Sequence, residues 1–212
     1  MVSLLSELQF ASLLVYAPQG NSEISRRSRS VRAAVKGGDR SVLELAAQRL
    51  MESGASWLGD FFGAETVLVP TPGSSPMKDP KSLWVPRDIC QTFVARDLGK
   101  EVSTCLGRSH AVPKSAFSLP HERPKPSRHF ESLSVSRSLF APRRITLVDD
   151  VITKGATLVA AASRLAEAFP GCEVRAFAVI RTMTRVDVDA ILAPCSGVIT
   201  YNAATDSSRR EP

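Results

Sequence analysis

Four cysteines, at Cys90, Cys105, Cys172 and Cys195, are too scattered for a disulfide framework, and none forms the Cys-x-x-Cys pair of a structural zinc site. The plain reading is free, buried thiols in a reducing cytoplasm. No apolar run approaches the roughly 20 residues that span a bilayer, so no membrane partner is expected. The start, Met1-Val2-Ser3-Leu4-Leu5-Ser6-Glu7, has no basic residue ahead of its apolar ones, and Glu7 and Gln9 interrupt them. A signal peptide is therefore not expected, and the expected location is cytoplasmic. Histidine is scarce too, and all three copies fall between Ser109 and Pro142.

What is present suits one soluble core. A length of 212 residues with 43% hydrophobic content fits a single substantial domain better than two. Lys and Arg outnumber Asp and Glu by 27 to 21, a net charge of +6 that suits an anionic partner without choosing among phosphate, pyrophosphate and nucleic acid. Leu4 to Tyr16 enters the core as a helix or a strand. Pro18 to Ser28 reads as a loop, and Ser30 to Lys36 and Ser41 to Leu58 read as helices. Thr66 to Pro70 reads as a buried parallel strand and Pro86 to Leu98 as a helix opened by proline.

Ser109 to Pro142 shows no clear helix and holds five of the fourteen prolines, which suits a functional lid or a disordered segment. Arg144 to Val148, Glu173 to Ile180 and Gly197 to Tyr201 read as strands, and Thr157 to Phe169 as a helix. Strands alternating with helices predict an α/β fold, a mostly parallel twisted sheet flanked by helices. Residues 1–204 read as one domain and 205–212 as a disordered tail.

The most informative segment runs from Ile145 to Thr157. An apolar strand ends in Asp149 and Asp150, a short loop with hydroxyls and one glycine follows, and a helix begins. Such a loop faces the ligand crevice of an open α/β sheet. Backbone N–H groups from Lys154 to Thr157, beside a helix N-terminus, suit an anion. Gly155 permits close approach, and Thr153 and Thr157 add hydroxyl donors. Asp149 and Asp150 repel phosphate but can accept hydrogen bonds from two vicinal ribose hydroxyls. An anion cradle beside a diol cradle describes ribose 5-phosphate. The alternative is an ordinary strand–turn–helix with a surface pair of acids.

This segment resembles the signature of type I phosphoribosyltransferases, which bind phosphoribosyl pyrophosphate (PRPP). It is most similar to the ComF-type proteins associated with DNA uptake, whose loop typically reads VDDVITTGAT where this chain reads VDDVITKGAT. Many ComF-type proteins begin with a four-cysteine zinc module, which this chain lacks. The resemblance implies a type I phosphoribosyltransferase fold with a small variable hood. It implies that Asp149 and Asp150 hold the ribose hydroxyls, and that Thr153, Lys154, Gly155, Ala156 and Thr157 hold the 5-phosphate. Lys154 replaces the usual Thr and either reinforces phosphate binding or faces solvent.

The resemblance also places a pyrophosphate loop after Thr66–Pro70, with Ser74, Ser75, Lys78 and Arg87 as candidates. A surface ion pair with Asp88 or Glu101 is the competing reading of Arg87. A catalytic lid falls at His121 to Phe130, with Arg123, Lys125, Ser127 and Arg128 able to fold over pyrophosphate, and a solvated basic loop is its competing reading. His121 and His129 suit an acid or base role but have no visible partner, so polar loop residues are the plainer reading. Arg29, Arg32 and Lys36 share a helix face that suits either solvent or nucleic acid, and the absence of interleaved aromatics disfavours nucleic acid.

The implied reaction displaces pyrophosphate from PRPP by an unidentified nucleophile, with Mg²⁺ carried mainly by PRPP and no direct metal ligand from the chain. The alternatives are a non-turnover sensor of PRPP or a nucleotide, and a scaffold without ligand. A homodimer stays open.

Overall fold

The apolar run near the start of the chain is a strand, β1 (Glu7–Tyr16), buried on both sides as a central strand must be: Phe10 faces one core cluster and Leu13 the other. The computed structural model describes residues 4–79, 81–113, 124–136, 142–183 and 187–212. After β1 come α1 (Glu23–Lys36), α2 (Arg40–Glu52), α3 (Leu58–Phe61), β2 (Gly63–Pro70), α4 (Val85–Val94) and β3 (Gly99–Val102). Then follow β4 (Leu106–Arg108), α5 (Pro126–Glu131), β5 (Leu133–Val135), β6 (Arg144–Ile152), α6 (Ala156–Ala168), β7 (Glu173–Thr182), β8 (Leu192–Asn202) and β9 (Ser207–Glu211).

The main sheet has the order β3-β2-β6-β7-β1-β8-β9. Its first five strands run parallel, and β8 and β9 add an antiparallel edge. Strands β4 and β5 form a separate antiparallel ribbon. The expected α/β class with a mostly parallel sheet is what the chain adopts.

Two hydrophobic layers sandwich the sheet. Leu158 and Leu165 of α6 pack with Ile145 and Leu147 of β6 on one face. Leu43 and Leu50 of α2 and Ile89 and Phe93 of α4 pack with Leu68, Val148 and Phe177 on the other. Phe177 anchors this second layer, with ring centroids 5.0 Å from Phe62 and 5.7 Å from Phe93.

Three expectations need correcting. Pro18 to Ser28 is not all loop, because α1 starts at Glu23 with Ser22 as its N-cap. Its inward residues there are serines rather than apolar side chains. Ser28 donates to Ser25 O at 2.7 Å, and Ser25 donates to Asp187 at 2.8 Å, so buried polarity hid the helix from a hydrophobic pattern. Among the described residues within Ser109 to Pro142 there is one helical turn and a half, α5, plus β5.

The expected disordered tail instead contributes edge strand β9. Ser208 is buried, and Arg210 lies over the Phe10 ring at 5.6 Å while donating to Thr153 O at 3.1 Å and Thr182 O at 2.9 Å. An edge strand with one exposed side needs few apolar residues, which is why its sequence reads as polar. The cysteines are free, with Cys90 buried and the other three half-buried. Among the described residues, no helix is long and apolar enough to cross a membrane.

Arg210→Ala should destabilise the protein by about 1–3 kcal/mol, since it strips two strand-end carbonyls of their donor. Thermal melting should show this as a drop of roughly 2–4 °C per kcal/mol. An unchanged melting temperature is the result a disordered tail would give.

Candidate functional site

The helices that follow β2 and β6 lie on opposite faces of the sheet, α4 on the Phe177 side and α6 on the other. Since β2 and β6 are neighbours, the loops leaving their carboxyl ends diverge and open a crevice at a topological switch point. Asp149 and Asp150 stand at the carboxyl end of β6 on this crevice.

Strand alternation sends Leu147 to the α6 side and Val148 to the α4 side, and the two acids continue that divergence. On the α1 side, Asp150 meets Lys36 at 2.6 Å. Asp149 acts electrostatically on Arg108 of β4. Burial first, and then the Asp150 charge, push the Asp149 carboxyl up to about 7, against the opposing pull of Lys36. Two adjacent carboxylates cannot easily both ionise, so the pair retains a proton near neutrality. Each acid also caps the chain locally: Asp149 accepts from Asp150 N at 2.9 Å, and Asp150 from Val151 N at 2.6 Å.

The loop that follows turns at Gly155, whose φ of +84° is left-handed and strained for any residue with a Cβ. A Cβ there would also come within 2.8 Å of Ile199. Gly155 is the N-cap of α6 and offers no side-chain cap, so the first N–H groups of the helix, including those of Ala156 and Thr157, have no side-chain acceptor at the cap. Thr153 Oγ1 is 3.1 Å from Thr182 Oγ1. Lys154 is exposed and forms no ion pair with the described residues.

The neighbouring loop after β2 is pinned at its start. Thr71 N donates to Val148 O at 2.8 Å, and Trp84 Nε1 donates to Thr71 O at 2.8 Å. Arg108, 8% exposed, binds this loop through Nε to Gly73 O at 2.9 Å. Its remaining donors reach Ser132 Oγ, His129 O at 3.2 Å and His129 Nδ1 at 3.1 Å. His129 Nε2 lies 3.4 Å from Thr157 Oγ1 in the first turn of α6. Burial, with Arg108 and Arg128 nearby, pushes the His129 imidazole down to about 4, so it is neutral.

Among the sequence candidates, the structure therefore brings Asp149, Asp150, Thr153, Gly155, Ala156 and Thr157 to one crest. Ser74 is half-buried, and its carbonyl accepts from Val112 N at 2.8 Å, whereas Ser75 and Lys78 are exposed. Arg87 stacks over Trp84 at 5.7 Å and contacts Asp88 at 3.7 Å.

Of the lid candidates, Lys125 and Arg128 are exposed at α5, Ser127 is held there by Asp206 of the β8–β9 turn, and Arg123 and His121 lie outside the described residues. His129 is no polar loop residue but a buried one. The proposed basic face on α1 is engaged within the fold: Arg29 donates to Ala17 O and Gly20 O, Arg32 lies over Tyr16 at 5.0 Å, and Lys36 pairs with Asp150.

The sequence reading missed Arg108, His129 and the pairing role of Lys36. Lys36 reads only as part of a basic helix face, and Arg108 sits in a three-residue strand with no periodicity to read. The clefts lined by Glu65, Lys100 and Phe169, and by Leu43, Asp88 and Arg96, include neither Asp149 nor Asp150. Among the described residues no cluster of three or more His, Cys, Asp or Glu side chains offers a cage for a metal.

No protein-family model matches the chain, and no curated protein matches it either. The fold and the crest define its class: an α/β protein with a mostly parallel sheet, an acid pair at a switch point and a glycine-turned loop entering a helix.

Because the Asp149 pKa is raised on folding, the folded state holds more protons than the unfolded state between about pH 4 and 7. Its contribution to stability is thus present at low pH and is lost as pH rises through about 7. Asp149→Asn should raise the melting temperature at pH 8 by roughly 2–4 °C per kcal/mol of relieved repulsion. At pH 5 the gain should be much smaller. An equal gain at both pH values would mean that the carboxyl titrates normally.

Proposed function

We propose that this chain has a type I phosphoribosyltransferase fold, binds PRPP at the crest of β6, and transfers its phosphoribosyl group to a nucleophile with release of pyrophosphate. The observation that carries this reading is the acid pair Asp149–Asp150 beside the left-handed Gly155 turn and the N-terminus of α6. Acceptors for a diol and donors for a phosphate stand side by side, as ribose 5-phosphate requires.

Asp149 and Asp150 orient the sugar through its hydroxyls, and their negative charge lies near the positive charge that develops on the ribose ring. Thr153, Gly155, Ala156 and Thr157 hold the 5-phosphate. The Thr71–Ser75 backbone, fixed by Trp84 and Arg108, faces the same crevice and suits the pyrophosphate.

Mg²⁺ carried in on PRPP would neutralise charge on the leaving pyrophosphate. Lys36 sits on the carboxylate assigned to a ribose hydroxyl, and its ammonium offsets part of the charge of the diacid.

A second reading, a PRPP sensor without turnover, is favoured by one observation. The basic residues Lys125 and Arg128 flank a helix clamped by the contact of Ser127 with Asp206, not a free loop. Pyrophosphate release with any of a panel of bases and amines supports the transferase, and tight PRPP binding without release supports the sensor.

Asp149→Asn combined with Asp150→Asn should abolish binding of Mg²⁺–PRPP in calorimetry while leaving the melting curve cooperative. Retained affinity in a folded variant would remove the acid pair from the site. Lys154→Thr should change ribose 5-phosphate affinity less than about tenfold, the effect of a screened charge, whereas a direct ammonium–phosphate contact predicts a larger loss.

A further inference from the structure

The contacts around His129 fix the direction of every proton in a chain that ends at the phosphate loop. A guanidinium can only donate, so the Nδ1 that faces Arg108 Nη2 at 3.1 Å must be the bare acceptor nitrogen. In a neutral ring the proton then sits on Nε2. Nε2 faces Thr157 Oγ1 at 3.4 Å, so the imidazole donates to that hydroxyl. A hydroxyl that already receives a hydrogen bond has its one proton free to give away. Thr157 lies in the first turn of α6, where free backbone N–H groups already favour an anion.

The imidazole has little freedom to turn round. His129 is 3% exposed, and its own carbonyl accepts from Arg108 Nη1 at 3.2 Å and from Ser132 Oγ at 2.7 Å. The helix that carries it is held on two further sides. Ser127 N donates to Asp206 Oδ1 at 3.1 Å, and Arg164 of α6 lies over the Phe130 ring at 3.7 Å and donates to Phe130 O at 3.0 Å. At its far end, Arg108 grips Gly73 O in the loop after β2.

We propose that Arg108, His129 and Thr157 form a one-way donor relay that aims the Thr157 proton at a phosphomonoester bound at the start of α6. His129 is the positioning residue. It never touches the ligand, but it decides which way the threonine hydroxyl points. The relay favours ligands whose oxygens only accept, such as a phosphate dianion. It also ties the loop after β2 to the loop after β6, so that the two anion-binding loops of the crevice are set by one buried guanidinium. The phosphate part of the proposal rests on the ribose 5-phosphate reading of the crest.

The tautomer can be read without any ligand. In the full chain labelled with ¹⁵N-histidine, long-range ¹H–¹⁵N spectra at pH 7 should show His129 as the neutral Nε2–H form. An Nδ1–H form or an imidazolium overturns the relay whatever the chain binds.

Calorimetry with ribose 5-phosphate then tests the outcome. His129→Leu and Thr157→Val should each weaken binding about tenfold or more, the double variant should be little worse than either single one, and His129→Gln, which keeps one acceptor and one donor, should recover most of the loss. If His129→Leu does not fold, Thr157→Val and His129→Gln carry the same comparison. Equal affinity of wild type, Thr157→Val and His129→Leu overturns the relay and leaves the ribose 5-phosphate site standing. A wild type with the expected tautomer but no affinity for ribose 5-phosphate overturns the phosphate site, and the proposal with it.

Discussion

Two like charges at the end of one buried strand set the terms for everything around the crest. Strand β6 is paired on both sides and buried on both faces, so it has no freedom to move Asp149 and Asp150 apart along the chain. Alternation does it instead, by sending them to different faces, and each face then needs a cation. The α1 face supplies Lys36 from the end of its helix, where the helix dipole also favours a positive charge. On the opposite face Asp149 acts on Arg108 through its field, with no ion pair between the two among the described residues. The result is a diacid that is only partly compensated, and Asp149 takes up the remainder by holding its proton to about pH 7.

The hydrogen bonds of Arg108 are made almost wholly to neutral groups, Gly73 O, His129 and Ser132. A guanidinium that bonded Asp149 directly would quench the acid pair, whereas one held by carbonyls leaves it poised. Arg210 follows the same logic on the far side of the loop. It binds Thr153 O and Thr182 O, and burial together with the adjacent Arg181 pushes its guanidinium below its usual range. Arg210 thus braces the loop between β6 and α6 from behind through the backbone of Thr153, as Arg108 braces the loop after β2 through Gly73 O.

How much of this was legible in the sequence follows from which interactions are local. The strand, the acids, Gly155 and the helix after it are contiguous, and their pattern predicted both elements: the helix to within one residue at each end, the strand from its first residue but four residues short, since β6 runs on through the acids to Ile152. The parallel sheet followed from alternation of strand and helix. What stayed hidden is non-local. Arg108 and His129 are 21 residues apart in the chain and meet only because β4 and β5 pair and carry α5 beside α6. Lys36 is 114 residues from Asp150. Strand β9 was unreadable for another reason: an edge strand with one open face needs only Ser208 and Arg210 turned inward, and two polar residues make no hydrophobic period.

The turn that carries Asp206 gives the C-terminal edge a part in the same system. Asp206 adopts a left-handed φ of 47°, a conformation Asp tolerates better than most residues, and from there it binds Ser127 and the Tyr201 hydroxyl. Strand β9, one residue further on, carries Arg210 to the back of the loop between β6 and α6. One short hairpin therefore sets both the helix bearing His129 and the backbone of Thr153. The crest depends on the last strand pair of the chain for its shape even though none of its acids or hydroxyls comes from there. Sheet edges usually tolerate change because little depends on them. Here the edge is fixed by what it holds in place, so its polar sequence is constrained at Asp206, Ser208 and Arg210 and free at the exposed positions between them.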